Sequence, residues 1–191
     1  IQNFMKVAIL SMQQIKNYGS YLQAFSLKKN IESLGHTCEF INIIPGEQLE
    51  GYKTSCFYNI KLLFQRLWGW DFYKRFQTIF VFQNRFQKEF LPYLGVKKGI
   101  NTKHYDVVVI GSDEVFNCTQ KTWFGFSSQL FGKGLNASRI ITYAASFGAT
   151  TIDKLQLVGK KEIVSSLLHD LDAISVRSEE HTSELQSPCL I

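Results

Sequence analysis

Three short polar segments of this sequence each follow an apolar run, and they carry residue types that can bind or activate a substrate. They are Asn-Tyr-Gly-Ser at 17–20, Gly-Ser-Asp-Glu at 111–114 and Ser-Phe-Gly at 146–148. In an open parallel α/β sheet, ligands bind in the crevice beyond the carboxyl ends of the strands. If the apolar runs are parallel strands, all three segments lie along one edge of the sheet.

The first segment has two interpretations. It begins at Asn17 and leads into a helical pattern, so Ser20 is the predicted N-cap, while Gly19 would let a ligand or an anion approach the positive end of the helix dipole. A plain cap with a turn glycine explains the same residues equally well. The segment does not match the G-x-G-x-x-G fingerprint, so dinucleotide binding has little support.

The other two segments also allow a functional and a local interpretation. Gly111 and Ser112 precede Asp113, whose carboxylate could bind a sugar hydroxyl, orient a base or cap the following turn. Ser146 and Gly148 could line the same site or form only a tight exit turn. We find no nucleophile–base pair, metal-ligand spacing or P-loop in the sequence, and we expect neither a metal nor a bound cofactor.

Apolar runs predict the strands that position these segments. They occur at residues 6–11, 37–44, 105–110, 139–145 and 173–176, and their nearly continuous apolar character is typical of strands buried on both faces. Helical spacing follows from Ser20 to Leu34 and ends at Gly35, and a second helical pattern before the last strand contains a break at Gly159. The fold class is therefore α/β, a Rossmann-like parallel sheet with helices on both faces.

The region from Glu47 to Gly99 departs from this alternation, and we interpret it as two helices inserted between strands. The first contains Leu62, Leu63, Leu67, Trp68 and Trp70. The second carries an aromatic stripe of Phe72, Phe76, Ile79, Phe80, Phe86 and Phe90. We interpret the stripe as core or interdomain contact, and a membrane-docking or acceptor-binding face is the alternative.

Composition limits the domain count and the compartment. A chain of 191 residues with 45% hydrophobic residues can bury one α/β domain of ordinary size. Cys38, Cys56 and Cys118 are widely spaced, which fits reduced thiols in a cytoplasm. No export signal follows Met5, and no apolar run is long enough to span a membrane. We expect a cytoplasmic protein, with peripheral contact at the inner face of the membrane as the alternative.

The last residues have a different character from the rest. Residues 177–188 are similar to a reading-frame translation of a sequencing-library adapter, so we predict that 178–191 are a non-native tail and that the domain spans 5–177. Without that tail, which holds three acids and no base, 21 bases face 13 acids and the net charge is +8. Such a surplus is compatible with anionic partners, or with a missing part of the protein that offsets it.

Taken together, the segments resemble the polysaccharide pyruvyl transferase family. The similarity runs from about Met5 to Arg177 and rests on the order and spacing of three elements, N-Y-G-S-x-L-Q-A at 17–24, G-S-D at 111–113 and A-S-F-G at 145–148. Phe116 stands where the family usually has Trp. After Val176 and Arg177 the family continues with a second domain, so the resemblance implies the N-terminal half of a GT-B-like enzyme.

That resemblance implies transfer of pyruvate from phosphoenolpyruvate to a sugar of a surface polysaccharide, as a ketal. Asp113 is the implied catalytic residue of this half. The other implied substrate-binding residues are Asn17, Gly19, Ser20, Gln23, Gly111, Ser112, Ser146 and Gly148. The implied partners are phosphoenolpyruvate and a sugar or lipid-linked oligosaccharide acceptor, without nucleic acid. Donor-binding and acid groups belong mostly to the second half, so we expect the fragment to be inactive alone.

Two other functions remain open at this point. A GT-B glycosyltransferase that uses a nucleotide sugar would share the architecture and differ in the second domain. A non-catalytic carbohydrate- or partner-binding module would share the fold without the activity, because a fold does not fix a function.

Overall fold

A parallel sheet forms the centre of the molecule. The computed structural model describes residues 4–50, 72–96, 99 and 103–177. Within these residues, β1 (Lys6–Leu10), β2 (Thr37–Phe40), β3 (Tyr105–Gly111) and β4 (Ala137–Tyr143) form a four-stranded sheet in the order β2-β1-β3-β4. Every pair of neighbouring strands is parallel. The predicted α/β class is therefore confirmed.

The strand order places a switch point between β1 and β3. The chain moves from β1 outward to β2, and then returns to the opposite side of β1 to form β3 and β4. Leu10 is in register with Ile110, and Gly111 is in register with Tyr143, so β1, β3 and β4 end at the same edge. A switch point of this kind opens a crevice at the carboxyl ends of the strands, where α/β proteins bind ligands.

Helices cover both faces of the sheet. The first is α1 (Tyr18–Ser33), and α2 (Phe72–Arg85) continues through a π-helical turn (Phe86–Phe90) into the short α3 (Leu91–Leu94). A 3₁₀ turn (Ser128–Phe131) precedes β4, and α4 (Ile152–Leu157) and α5 (Lys161–His169) follow it. Gly159, with φ +65°, separates α4 from α5, which confirms the predicted break.

Alternation along the strands divides the core into two layers, because successive side chains of a strand point to opposite faces. Val7, Ile9 and Val109 pack on one face, against α1 and the helical insertion. On the other face the strand residues Ala8, Leu10, Val108 and Ile110 pack against the segment after β3, the 3₁₀ turn, α4 and α5. This arrangement confirms helices on both faces.

Two predicted strands are shorter than their apolar runs. Residues 173–176 run parallel to β4 but make only isolated bridges, Ile141 with Ala173 and Ala145 with Val176. Side chains replace part of the ladder: the Ile140 N–H donates to the Asp172 carboxylate at 2.6 Å. β2 ends at Phe40, and farther along the Ile44 N–H donates to the side chain of Gln129 at 2.8 Å rather than to a strand.

The aromatic stripe of the insertion is divided between core and surface. Phe86 is fully buried, whereas Phe80 is 58% exposed. The helix predicted around 62–70 and the side chains of Phe72, Phe76 and Ile79 lie outside the described residues. No helix in the described part of the chain is long and apolar enough to cross a membrane.

Candidate active site

The chain leaves β3 in a strained conformation. Gly111 has φ +134°, and a Cβ there would collide with the carbonyl of Tyr143 on β4. Ser112 follows with φ +61°, and Ala144 has φ +47° at the equivalent point after β4. Left-handed backbone costs non-glycine residues about 1–3 kcal/mol, and such strain tends to cluster at functional sites. The strained backbone therefore indicates that this edge of the sheet is the candidate functional site.

Hydrogen bonds join the loop after β3 to the loop after β4. The Ser112 N–H donates to the Tyr143 carbonyl at 2.6 Å, the Ser146 N–H to the Asp113 carbonyl at 3.1 Å, and the Phe116 N–H to the Ser146 carbonyl at 3.0 Å. Two of the three predicted polar segments are thus one structural unit. Ser146 also accepts a bond from the Gly148 N–H on its hydroxyl, at 3.0 Å.

Gly148 lies against a side-chain pair of the other loop. Its φ is +54°, and a Cβ would overlap the Glu114 carboxylate and the Asn117 amide. The Asn117 amide donates to the Glu114 carboxylate at 2.8 Å. Gly148 is therefore required both for its left-handed conformation and for the room that this pair occupies.

Asn117 anchors a buried polar network beneath the loops. Its side-chain oxygen accepts from the Thr150 hydroxyl at 3.0 Å, from the Thr119 N–H at 3.2 Å and from the Thr119 hydroxyl at 3.3 Å. All three side chains are buried. Because buried polar networks are rigid when fully satisfied, this one fixes the loop after β3 relative to residue 150.

Asp113 bonds to its own turn and still presents a carboxylate oxygen. One oxygen accepts from the N–H of the next residue, Glu114, at 2.9 Å. No hydrogen bond or ion pair to the second oxygen appears among the described residues. The side chain is half-buried. A substrate hydroxyl can therefore bind the free oxygen without breaking the turn.

The cap of α1 differs from the prediction. Asn17, with extended φ and ψ, is the N-cap, and its side-chain oxygen accepts from the Gly19 N–H at 2.8 Å. Ser20, predicted as the cap, lies inside the first turn with only 6% of its surface exposed. The prediction failed because Asn is as good a cap as Ser and stands three residues earlier. Gln23 follows one turn later, half-buried.

Sequence reasoning missed the polar residues directly after β1. The buried Gln13 side chain accepts from the Ser11 N–H at 3.1 Å and donates to the Ile41 carbonyl at 2.8 Å, so it ties the exit of β1 to that of β2. Among the described residues, the hydroxyls of Ser11 and Ser112 are buried and have no hydrogen-bond partner. An unsatisfied buried hydroxyl costs about 1–3 kcal/mol. Gln13 could not be recognised beforehand, because its partner is 28 residues away.

The three predicted segments share one edge but are not equally close. The loops after β3 and β4 bond directly, as described above. No hydrogen bond among the described residues joins residues 17–23 to either of them. Asn17 follows β1 and Asp113 follows β3, so the two residues border the same switch point, and no hydrogen bond among the described residues joins them.

A cavity of about 880 Å³ lies elsewhere, beside β2, and its lining includes Ile43, Leu91, Trp123 and Gln129. The Gln129 side chain there already accepts from Ile44. We assign the site to the strand ends instead, because strained non-glycine backbone and an available carboxylate oxygen occur together there.

The cysteines of the described residues are not candidate nucleophiles. Burial raises the pKa of the Cys118 thiol to about 12, and burial likewise raises the pKa of Cys38 to about 12. Thiols of this kind stay protonated at neutral pH and do not attack substrates. Neither forms a disulfide.

Comparison with protein families identifies the group to which this domain belongs. The family model for polysaccharide pyruvyl transferase matches residues 17–186. The chain belongs to the polysaccharide pyruvyl transferase family. Comparisons with the curated proteins and with the solved structures find no match. The matched range continues through residues 178–186, which we predicted to be non-native, and that prediction remains a prediction.

The match includes every candidate site residue of the pyruvyl transferase domain. Asn17 is its first residue, and the loops after β3 and β4 lie well inside it. The residues that sequence reasoning missed also lie within it, apart from Ser11 and Gln13. One local signal could have revealed Asn117: an Asn two residues before Thr119 favours an Asx turn, which the structure has. The hydrogen bond from the Thr150 hydroxyl to Asn117 has no local signal in the sequence, because the two residues are 33 positions apart.

Proposed function

We propose that this domain forms the acceptor side of a pyruvyl transferase, which moves pyruvate from phosphoenolpyruvate to two hydroxyls of a surface-polysaccharide sugar. The observation that carries the proposal is the available Asp113 oxygen, held at the carboxyl end of β3 by bonds to the loop after β4. A carboxylate is a strong acceptor for sugar hydroxyls. Family membership supplies the reaction type.

The proposed chemistry defines the groups that the enzyme needs. A proton adds to the terminal vinyl carbon of phosphoenolpyruvate, and the neighbouring carbon becomes an oxocarbenium-like centre. Two acceptor hydroxyls bond to that carbon, the bond to phosphate breaks, and both hydroxyl protons are released. A carboxylate beside an attacking hydroxyl can orient it and accept its proton, and we assign this role to Asp113.

The remaining site residues orient the acceptor and shape the loops. Asn17 keeps its amide group for a sugar hydroxyl while its oxygen caps α1. The buried hydroxyl of Ser112, without a hydrogen-bond partner among the described residues, directly precedes Asp113 in the loop. Gly19, Ser20 and Gln23 form the first turns of α1, and Gly111, Ser146 and Gly148 define the loops after β3 and β4.

The family resemblance assigns donor binding to a second half of the enzyme. We therefore propose that this domain alone does not catalyse the transfer of pyruvate. Phosphoenolpyruvate is an anion, and its phosphate and carboxylate require cationic groups that a second domain would supply. Because Cys38 and Cys118 are free thiols, we place the reaction in the cytoplasm.

Saturation-transfer NMR on this chain tests the proposal. We expect simple glycosides with vicinal or 1,3-related hydroxyls to receive saturation, and phosphoenolpyruvate to receive none. Asp113→Ala should remove the glycoside signal, whereas Asp153→Ala, at an exposed position of α4, should retain it. Saturation of uridine diphosphate hexoses but of no simple glycoside would favour a nucleotide-sugar glycosyltransferase. Equal signals from wild type and Asp113→Ala would contradict the proposal.

A further inference from the structure

Helix α1 has a second apolar stripe, partly exposed, beside the stripe that it buries in the core. Its buried stripe contains Tyr21, Ala24 and Leu27. The other stripe contains Tyr18 and Leu22, which are 52% and 57% exposed, and the half-buried Phe25. These residues are four and three positions apart, so they follow one face of the helix.

Rings of the helical insertion extend this stripe into a surface. Tyr18 lies 4.7 Å from Phe82 and 5.6 Å from Phe90 between ring centroids. Phe25 lies 5.8 Å from Tyr93, which is 70% exposed. We call this surface the aromatic face, and it consists of the exposed Tyr18, Leu22 and Tyr93 together with Phe25, Phe82 and Phe90, which are partly buried against the core. Contiguous exposed apolar residues on a folded domain generally mark an interaction surface.

Basic residues occur along α1 and the helical insertion, and three of them pair with acids: Lys28 and Lys29 with Glu32, and Arg85 with Glu89. Lys29 lies with its ammonium 5.9 Å from the centre of the Phe25 ring, and the Lys16 ammonium reaches the Gln83 side chain at 3.4 Å. Residues 16–33 and 77–96 together hold five bases and two acids, a net charge of +3. These charged residues are Lys16, Lys28, Lys29, Arg85, Lys88, Glu32 and Glu89.

We propose that the aromatic face docks onto an anionic membrane surface. Aromatic side chains with polar edges settle at the headgroup level, and nearby bases are attracted to anionic lipids. A second copy of the chain fits less well, because pairing two such faces would bring two net positive surfaces together. The contact is peripheral, since it uses exposed side chains of helices that also pack on the sheet.

The docking does not depend on the proposed function, but the two are compatible in space. Tyr18 directly follows Asn17, the N-cap that borders the switch point. With the aromatic face on the lipid, the crevice at the strand ends opens close to the headgroups. A sugar carried on a lipid anchor could then reach Asp113.

Vesicle co-sedimentation of the full chain tests the proposal. We use vesicles of phosphatidylcholine with about 30% phosphatidylglycerol, and vesicles of phosphatidylcholine alone, each at low and high salt. The chain should pellet with the anionic vesicles at low salt, and binding should fall at least about fivefold on neutral vesicles or in high salt.

A matched pair of variants tests the surface itself. Leu22→Ser removes an apolar side chain from the aromatic face, and Leu157→Ser makes the same change at a residue that is 84% exposed on α4. Leu22→Ser should weaken vesicle binding about fivefold or more, and Leu157→Ser should leave it unchanged. The proposal is overturned if the wild-type chain does not bind anionic vesicles, or if both variants lose binding equally. It is also overturned if Leu22→Ser leaves vesicle binding unchanged and instead dissociates a dimer in light scattering.

Discussion

The side-chain amide of Asn117 donates a 2.8 Å hydrogen bond to the carboxylate of Glu114, and this pair occupies the space that a Cβ on Gly148 would need. The contact joins the loop after β3 to the loop after β4, since Gly148 is 31 residues from Asn117 and 34 from Glu114 in sequence. It explains why a glycine is needed at position 148 after β4. Because the two loops are in contact, a substitution in one of them should also disturb the other.

Gly148→Ala should destabilise the domain more than its backbone conformation alone requires. A left-handed alanine costs about 1 kcal/mol, and the collision with Glu114 and Asn117 adds to that cost. Gly159→Ala is the matched control, because Gly159 also has a positive φ but no atom within 4 Å of its missing Cβ. Urea unfolding should show a loss about 1–3 kcal/mol larger for Gly148→Ala. Equal losses would mean that the Glu114–Asn117 pair is not held against Gly148.

Asn117→Ala should cost about 1–3 kcal/mol, because it leaves the Thr119 N–H and the Thr150 hydroxyl with fewer buried partners. Glu114→Gln should be nearly neutral, since a Gln oxygen can still accept from the Asn117 amide. Thermal unfolding of both variants measures the difference. An Asn117→Ala variant as stable as Glu114→Gln would contradict the network.

Phe116→Trp should destabilise the domain although the family usually has Trp at this position. Phe116 is fully buried and stacks on Phe131 at 4.8 Å with an interplanar angle of 15°. A larger ring in this space should lower the free energy of unfolding by about 1–3 kcal/mol. Phe80→Trp, at a position 58% exposed, is the control and should change stability little. A stabilised Phe116→Trp variant would show that the core has room here.

Alkaline pH should weaken the fold through Cys118. Burial raises the pKa of its thiol to about 12, whereas the thiol of the unfolded chain ionises from its ordinary value of 9.0. The folded state therefore keeps a proton that the unfolded state loses, and stability falls between about pH 9 and 12, by up to about tenfold in the folding constant per pH unit.

Urea unfolding of the wild type and of Cys118→Ala at pH 7.5 and 10 checks this pH dependence. Between pH 7.5 and 10 the Cys118→Ala variant should lose less free energy of unfolding than the wild type. It should still lose some, because the pKa of Cys38 is raised in the same direction. Identical losses in the two proteins would show that Cys118 ionises normally in the fold.

Apolar runs were sufficient to predict the sheet, because strands buried on both faces leave a strong signal in sequence. The runs at 105–110 and 139–145 correspond to β3 and β4, although β4 begins at Ala137 and ends at Tyr143, and the helical insertion formed where alternation stopped. The run at 173–176 was overestimated, because Asp172 and Thr142 side chains replace ladder bonds that periodicity cannot foresee.

The candidate site was harder to predict than the sheet. Parallel strands place their following loops at one edge, so Asp113 and Ser146 could be placed together from sequence. The cap of α1 was assigned to Ser20 instead of Asn17, because both residue types cap well. Gln13 and Thr150 were missed, because each acts through a partner more than 25 residues away.

The proposed acceptor role of Asp113 is tested most directly by the kinetics of Asp113→Asn in a pyruvyl transferase that contains this domain. Asn keeps an oxygen for the Glu114 N–H, so the turn survives while the charge is removed. With phosphoenolpyruvate saturating and a sugar acceptor varied, kcat/KM for the acceptor should fall about 100-fold or more, and the KM for phosphoenolpyruvate should stay unchanged. The control Asp153→Asn should match the wild type. A folded Asp113→Asn enzyme with wild-type kcat/KM for the acceptor would contradict the assignment of this edge as the acceptor site.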